Sequence, residues 1–266
     1  MAMPQISGLD ATPTFTEDSG SPVKLDTNVD LADADFDGIM PNGNYGGGTL
    51  IIERNAGANA SDVLGIDDGG ASFSTSGGDV LSGGDVFGDF DLTSGTLTVN
   101  FTSMVTPATT ALVDSVAQRI TYSNPNNDPP AMVQLDWVFS DGDMMTADAT
   151  DSIDVSITPT NDAPTLATND TTNVNEGAET LIPTSNLEAI DPEQGPSNLT
   201  YMLDSVPGNG DLFIDGTGAG SNDDSEDGET ALAMGGTFTQ AKIDSDDLIY
   251  VHDGGETTSD SYDVTV

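Results

Sequence analysis

The apolar residues of this chain recur at every second position. TLTVNF (96–101), MVQLDWVF (132–139), SIDVSI (152–157), DLIYVH (247–252) and SYDVTV (261–266) all alternate in this way and are rich in β-branched and aromatic residues. A period of two fits a strand with one buried face and does not fit a helix. Thirty glycines and 14 prolines punctuate the runs. The pattern predicts an all-β chain built from β-sandwiches.

Charge sets the second constraint. Asp and Glu number 46 against four Lys and Arg (Lys24, Arg54, Arg119, Lys242), a formal net charge of −42. Low hydrophobicity with high net charge also suits disorder, but patterned apolar residues argue for folded sheets. No basic patch exists to release counterions from a nucleic acid, so that partner is excluded. An anionic membrane surface is disfavoured for the same reason. The self-repulsion must be offset by counterions or bound cations.

There are no cysteines, hence no disulfide and no thiolate metal site. No apolar run approaches the roughly 20 residues that span a bilayer. MAMPQISGLD has neither the charged nor the apolar region of a signal peptide. The abrupt start, and a stop inside SYDVTV, suit a fragment of a longer protein. An exported protein without disulfides needs other staples, and calcium is the first candidate.

Two domains fit the length of 266 residues. The boundary is read at SITPTNDAPTL: a first domain over 1–158, a linker over 159–164 and a second domain over 165–266, stopping within its last strand. The two halves run in parallel. ATPTFTEDSGSPVKLD and TNVNEGAETLIP each place a Glu (Glu17, Glu176) after an alternating run, and an acidic loop follows. VTPATTALVDSVAQRITYSN and FTQAKIDSDDLIYVHDG each read as a polar start, a short helix and a strand. In the first, Leu112, Val113, Val116 and Ile120 have helical spacing, with Thr106 and Pro107 as cap and first residue. GGASFSTSGGDVLSGGDVFGDF is expected to form hairpins anchored by Phe73, Val80, Val86, Phe87 and Phe90. GTGAGSNDDSEDGET (216–230) is expected to be a mobile acidic loop.

DLADADFDG packs Asp30, Asp33, Asp35 and Asp37 into eight positions. It opens like an EF-hand loop, but the twelfth position counted from Asp33 is Asn44 and the flanks are not helical. A calcium site of another kind and a plain solvated loop both remain open. Carboxylates at i and i+2 of an extended loop point to one side. Asp33 and Asp35, Asp141 and Asp143, and Asp191 and Glu193 have this spacing, which suits hard cations with six to eight oxygen ligands. In so acidic a chain any one such triplet is as readily a solvated turn.

Catalytic signatures are missing. His252 is the only histidine, so it cannot join a His-based zinc site; it reads as a strand-end residue beside Asp253. There is no G-x-S-x-G elbow. A glycosidase would need two carboxylates flanking a sugar, and aromatic residues for a sugar platform are few. Trp137 sits in an alternating strand and reads as core. Sequons at Asn59, Asn100, Asn169 and Asn198 matter only in a glycosylating host.

TEDSGSPVKLD, LADADFDG, GTLIIER, TPATTALVDSVAQRITYSN, FSDGD and TPTNDAP together resemble the cadherin-like repeats of giant bacterial surface proteins, over residues 5–164. LTYMLDSVPGNGDLFIDG and GGTFTQAKIDSDDLIYVHDGGETTSDSYDVTV resemble the chondroitin sulfate proteoglycan repeat, itself a cadherin-like sandwich, over 165–266. The resemblance implies β-sandwich modules in series, calcium at their junctions and no catalysis. Carried over, the junction ligands would be Glu17, Asn161, Asp162, Asp191, Glu193 and Asp253 or Asp260. A second cluster would be Asp33, Asp35, Asp37, Asp141 and Asp143. The chain departs from the cadherin linker D-x-N-D-N at Pro159 and Ala163 and lacks L-D-R-E.

The expected function is therefore a non-catalytic extracellular structural or adhesive module, made rigid by calcium. Its partners would be neighbouring domains of the same chain, with cation-dependent self-association a further option. The alternative is a module of a surface adhesin that binds a glycan or protein ligand.

Overall fold

In the computed structural model, which describes residues 2–142, 147–215 and 231–266, the period-two runs are paired strands. The chain divides into two units, Met1–Thr160 and Asn161–Val266.

The first unit runs β1 (Gln5–Ser7), β2 (Thr14–Thr16), β3 (Val23–Lys24), β4 (Asp30–Ala32), α1 (Ala34–Asp37), β5 (Thr49–Arg54), β6 (Val63–Ile66), β7 (Ser74–Ser76), β8 (Asp79–Ser82), β9 (Asp85–Thr93), β10 (Thr96–Phe101), α2 (Thr110–Ala117), β11 (Ile120–Ser123), β12 (Met132–Ser140) and β13 (Ala149–Thr158). Its main sheet has the order β2-β13-β12-β5-β10-β9-β8-β7. A smaller sheet, β3-β11-β6, and the β1–β4 pair complete it. Alternation decides the faces. In β12, Val133, Leu135, Trp137 and Phe139 are buried; in β13, Ile153, Val155 and Ile157 are. They meet Leu50, Ile52, Leu97, Val99 and Tyr122 in one core. Each such side chain contributes about 1.5–3 kcal/mol by leaving water.

The Gly/Ser-rich stretch forms the expected hairpins. β7, β8, β9 and β10 pair consecutively, and Phe73, Val80 and Phe87 anchor them in the core. Gly77–Gly78, Gly83–Gly84 and Ser94–Gly95 have positive φ at both central positions of their two-residue turns, as the favoured hairpin turn requires. Gly95 is further constrained: a Cβ there would lie 1.9 Å from the Asn59 carbonyl oxygen. Gly95→Ala is expected to cost at least about 1–3 kcal/mol, read from urea unfolding; an unchanged midpoint would contradict this.

The helix after TPATT begins later than its sequence suggests. Thr109 precedes it, and residues 110–117 are helical. Residues before Thr109 are engaged elsewhere: the Ala108 oxygen accepts from Tyr45 N (2.8 Å), and Ala108 N donates to Ser103 Oγ (3.2 Å). Tertiary bonds to the 42–48 loop outweigh the capping signal of Thr106-Pro107.

The second unit runs β14 (Thr165–Asn169), β15 (Glu179–Leu181), β16 (Leu187–Ile190), β17 (Thr200–Ser205), β18 (Gly210–Ile214), β19 (Thr237–Thr239), α3 (Gln240–Asp244), β20 (Leu248–His252) and β21 (Asp263–Thr265). Its sheets are β14-β16, β15-β20-β18 and β19-β17-β21. Leu187, Tyr201, Leu203, Leu212, Phe238, Ile243 and Leu248 form its core. The Tyr201 and Phe238 rings stack at 4.9 Å. The acidic stretch 216–230 and Asp143 lie outside the described residues. The fold class is all-β, as the alternation predicts.

Candidate cation-binding carboxylates

DADFDG is one helical turn, not an extended loop. Asp33 caps α1: its Oδ1 accepts from Asp35 N (2.8 Å) and Phe36 N (3.0 Å). The helical turn replaces the i, i+2 geometry, so Asp33 and Asp35 do not share a side as an extended chain would make them. The reason is local: an Asp followed by helix-compatible Ala-Asp-Phe satisfies the orphan N–H groups of a first turn. Asp35 Oδ2 accepts from Ala2 N (2.6 Å), and Asp37 Oδ1 accepts from Tyr45 Oη and Thr110 Oγ1 (both 2.8 Å). Burial, then the bond to Asp37, push the Tyr45 phenol up, so it stays a donor. Asp33 itself is 1% exposed, and its Oδ2 is buried with no partner.

Asp141 follows β12 on a loop that packs against the Gly47 carbonyl; a Cβ on its neighbour Gly142 would lie 2.9 Å from that oxygen. A carboxylate that the sequence did not single out also belongs here. Asp114 of α2 is half-buried, and its Oδ1 accepts from Leu31 N (2.9 Å). Burial raises its pKa to about 6; the Leu31 N–H opposes this, and the charges of Asp30 and Asp37 add to it. A raised folded-state value means that this group favours the fold when protonated. Its contribution is full below about 4 and is lost as pH rises through about 6. Asp114→Asn keeps an acceptor for Leu31. It is expected to raise the melting temperature of the EDTA-treated protein at pH 7 and to leave it unchanged at pH 4. A variant equal to the parent at both would refute the cause.

Glu17 lies just past β2 and is 1% exposed. Its N donates to Thr158 O (3.0 Å), and its Oε2 accepts from Thr160 N (2.8 Å). Its Oε1, and Thr160 Oγ1, are buried without partners. Thr160 had no signal in the sequence beyond its place in the linker.

In the second unit, Asp191 follows β16, and its Oδ1 accepts from Glu193 N (3.0 Å) and Gln194 N (2.9 Å). Asp191 is 8% exposed, with Oδ2 unpartnered. Glu193 Oε2 accepts from Asp162 N (3.4 Å), while its Oε1 is covered and unpartnered. Its carboxyl is raised by burial and by the charges of Asp162 and Asp191, with two backbone N–H groups opposing. Asn161 Oδ1 accepts from Gln194 Nε2 (2.8 Å). Asp162, Asp191 and Glu193 are linked by these bonds; Asp253 and Asp260 are occupied otherwise. Asp253 Oδ1 accepts from Gly255 N (2.7 Å). Asp260 accepts from Gly208 N, Asn209 N, Ser261 N and Tyr250 Oη, all within 2.9 Å. Burial alone would raise the Asp260 carboxyl, but these donors hold it below its ordinary value. Four donors on two oxygens make it a loop clamp.

Among the described residues, no group of three or more His, Cys, Asp or Glu side chains converges as a metal site. His252 is a structural residue whose Nδ1 lies 3.7 Å from Asp253 Oδ1. Its Nδ1 accepts from Gly254 N (3.0 Å) and Gly177 N (3.3 Å), and Nε2 meets Thr257 Oγ1 (3.0 Å). No helix among the described residues is long and apolar enough to cross a membrane.

The basic residues do not reach the open oxygens of Glu17, Asp33, Asp191 and Glu193. Lys24 pairs with Asp67 (2.9 Å), Arg54 with Asp62 (2.6 Å) and Lys242 with Asp247 (2.8 Å), while Arg119 bonds the Gly69 carbonyl (2.8 Å). A buried acceptor without a donor costs about 1–3 kcal/mol, and more when charged. Glu17, Asp33, Asp191 and Glu193 therefore fit a hard cation, which takes carboxylate and hydroxyl oxygens.

FRAS1-related extracellular matrix protein 1 of Homo sapiens is 30% identical over 87 residues, 33% of this chain and 3% of that protein. The chain thus spans a small part of that relative. The human Desmocollin-1 ectodomain is 12% identical, covering 76% of this chain and 30% of that one at a TM-score of 0.32. Protocadherin Gamma C5 EC1-3 is 14% identical, covering 99% and 67% at a TM-score of 0.30. Residues 164–266 match a family model described as cadherin-like, so the second unit is similar to that family across its length.

Proposed function

We propose that this chain is a non-catalytic, extracellular structural or adhesive segment of a larger repeat protein, and that calcium makes it rigid. One observation carries the reading: four buried or half-buried carboxylates keep an oxygen without any donor, in a chain whose basic groups are engaged elsewhere. The cadherin-like match of residues 164–266 and the similarity to an extracellular matrix protein support the location.

Glu17, with Thr160 Oγ1, would hold an ion at the end of the first unit. Asp191 and Glu193, with Asp162, would hold one in the second. Asp33, whose Oδ2 is buried without a donor, is the third candidate. Calcium supplies charge neutralisation without directional demands. Thr160 and Asp162 are two residues apart, and their N–H groups bond Glu17 and Glu193 respectively. Ions bound by both carboxylates would tie down the linker between them. Without ions, the carboxylates repel and the linker is free to bend.

Small-angle scattering in EDTA and in millimolar calcium tests this. Calcium is expected to narrow the distribution of intramolecular distances, and magnesium to do so less. Superimposable profiles in the three conditions would end the proposal.

A further inference from the structure

Methionine is an apolar side chain that fills gaps in cores. In this chain all six methionines among the described residues are exposed. Two of them are the barest: Met40 is 82% exposed and Met104 is 91% exposed. Both belong to one tip of the first unit. The loop after α1 (38–48) and the stretch after β10 (102–110) are laced together. Thr110 N donates to Asn42 O (3.2 Å), Tyr45 N to Ala108 O (2.8 Å) and Gly47 N to Phe101 O (2.8 Å), and Ser103 Oγ bonds Asn44 Oδ1.

These bonds hold the two loops side by side. They leave Ile39, Met40 and Pro41 of one, and Met104, Val105 and Pro107 of the other, exposed to solvent. Single exposed apolar residues are normal on a surface, but six on two adjoining loops mark an interaction site. Beside Met104 the surface sinks into a hollow of about 450 Å³, lined by Gly46, Gly47, Gly48 and Phe101 among others. Acids border the tip. Asp37 Oδ1 accepts from Thr110 Oγ1 (2.8 Å), Asp35 is exposed on the same helical turn, and the Asp141–Gly142 loop meets the Gly47 carbonyl. The four basic residues are bonded elsewhere.

We infer that this tip docks a polypeptide segment of a partner protein that carries apolar side chains beside Lys or Arg. Charge selects the occupant. A second copy, or another unit of this composition, brings more negative charge to an acidic rim, in a chain that already carries −42. An anionic membrane is repelled in the same way. A cationic segment is drawn to the rim, and its apolar side chains then cover Ile39, Met40, Met104 and Val105. An amphipathic segment that lays its apolar side on a hydrophobic surface is a recurring mode of recognition. Methionine suits that surface, because its unbranched, polarisable chain adapts to the shape of what it meets. The hollow beside Met104 receives one long side chain of the partner. Such a partner rests on the adhesive reading proposed above and gives it a target.

Two peptides of equal charge, one alternating Leu with Lys and the other Gly with Lys, separate apolar contact from charge. Calorimetric titrations are made in EDTA and about 0.3 M salt, which screens charges beyond roughly 6 Å. The Leu-Lys peptide is expected to bind at least about tenfold more tightly than the Gly-Lys peptide. Met40→Ser, Met104→Ser and Val105→Ser together should reduce it to the Gly-Lys affinity. The melting temperature should not change, since all three side chains are exposed. Met202→Ser with Met234→Ser, exposed in the second unit, should leave the affinity as it was. Equal binding of the two peptides would overturn the inference, as would an affinity that the tip substitutions leave intact. A Leu-Glu peptide that binds as tightly as Leu-Lys would overturn it too. Self-association of the parent that the tip substitutions abolish, read by sedimentation in the same buffer, would assign the tip to a second copy instead. Because EDTA removes calcium, failure here leaves calcium-dependent stiffening standing, and absence of stiffening leaves this binding standing.

Discussion

Addition of about 10 mM calcium to the EDTA-treated protein is expected to raise its melting temperature by roughly 5–10 °C for each site filled. Extracellular modules commonly bind calcium with a Kd near 10⁻⁴ M. At about a hundredfold excess over that value, an ion that binds only the folded state stabilises it by about 2.7 kcal/mol. For a unit of this size each kcal/mol moves the melt by about 2–4 °C. Magnesium keeps its waters and demands octahedral geometry, so its effect should be much smaller. Glu17→Gln separates specific binding from screening. It retains the oxygen that accepts from Thr160 N and loses the charge that would hold the ion. Its melt in EDTA should equal or exceed that of the parent, because a buried charge is gone, while the calcium gain of the first unit shrinks. Equal gains in parent and variant would remove Glu17 from the site. Equal melts in EDTA, magnesium and calcium would remove calcium altogether.

Arg54→Met is expected to destabilise the first unit by about 3–5 kcal/mol. Asp62 is fully buried, and Arg54 grips both its oxygens at 2.6 Å. The hydrogen bond to Asp62 in turn holds the Arg54 guanidinium above its ordinary pKa. Tyr122 Oη (2.8 Å) and Asn124 Nδ2 (3.4 Å) complete the shell of Asp62. Those neutral donors cannot replace the cation, and methionine leaves an uncompensated charge in the interior. The melting temperature should fall by roughly 8–15 °C. Adding Asp62→Asn to Arg54→Met should recover a large part of the loss, since the buried charge goes with its partner. Calorimetry of the single and double variants decides it; a double variant no better than the single would mean that packing of the Arg54 stem, not charge, is what is lost.

The strands were legible because a half-buried strand writes its burial into every second residue. MVQLDWVF and TLTVNF name their own faces, and the glycine pairs at 77–78 and 83–84 name their turns. Distant pairing was not legible. Nothing in PTFTED says that Thr14–Thr16 joins Ser156–Thr158 in parallel, since that match is set by tertiary packing. The same limit governed the acids. Asp33, Glu17, Asp191 and Glu193 were identifiable by residue type and place in the repeat, but burial of one oxygen on each is a property of the folded chain. Asp260 looked equivalent until its four donors were visible. Asp114 was hidden by its helix, where a lone acid among Leu112, Val113 and Val116 reads as a solvent-facing position. Its half-burial arises from the packing of α2 on β4.

The parallel contact of β2 with β13 joins residues at opposite ends of the first unit, whereas β7, β8 and β9 pair only with sequence neighbours. Closing so long a loop is entropically slow, and local hairpins need no such search. The hairpin meander is therefore the early-forming part, and the β2–β13 seam closes late. Glu17 sits on that seam, one residue past β2. An ion held there grips a contact absent from the folding transition state, so it should leave the folding rate nearly untouched and slow unfolding. Calcium would then act chiefly on the lifetime of the native state, a quantity that stopped-flow dilution into denaturant reads directly. For the structural segment proposed above, lifetime would matter more than the equilibrium constant.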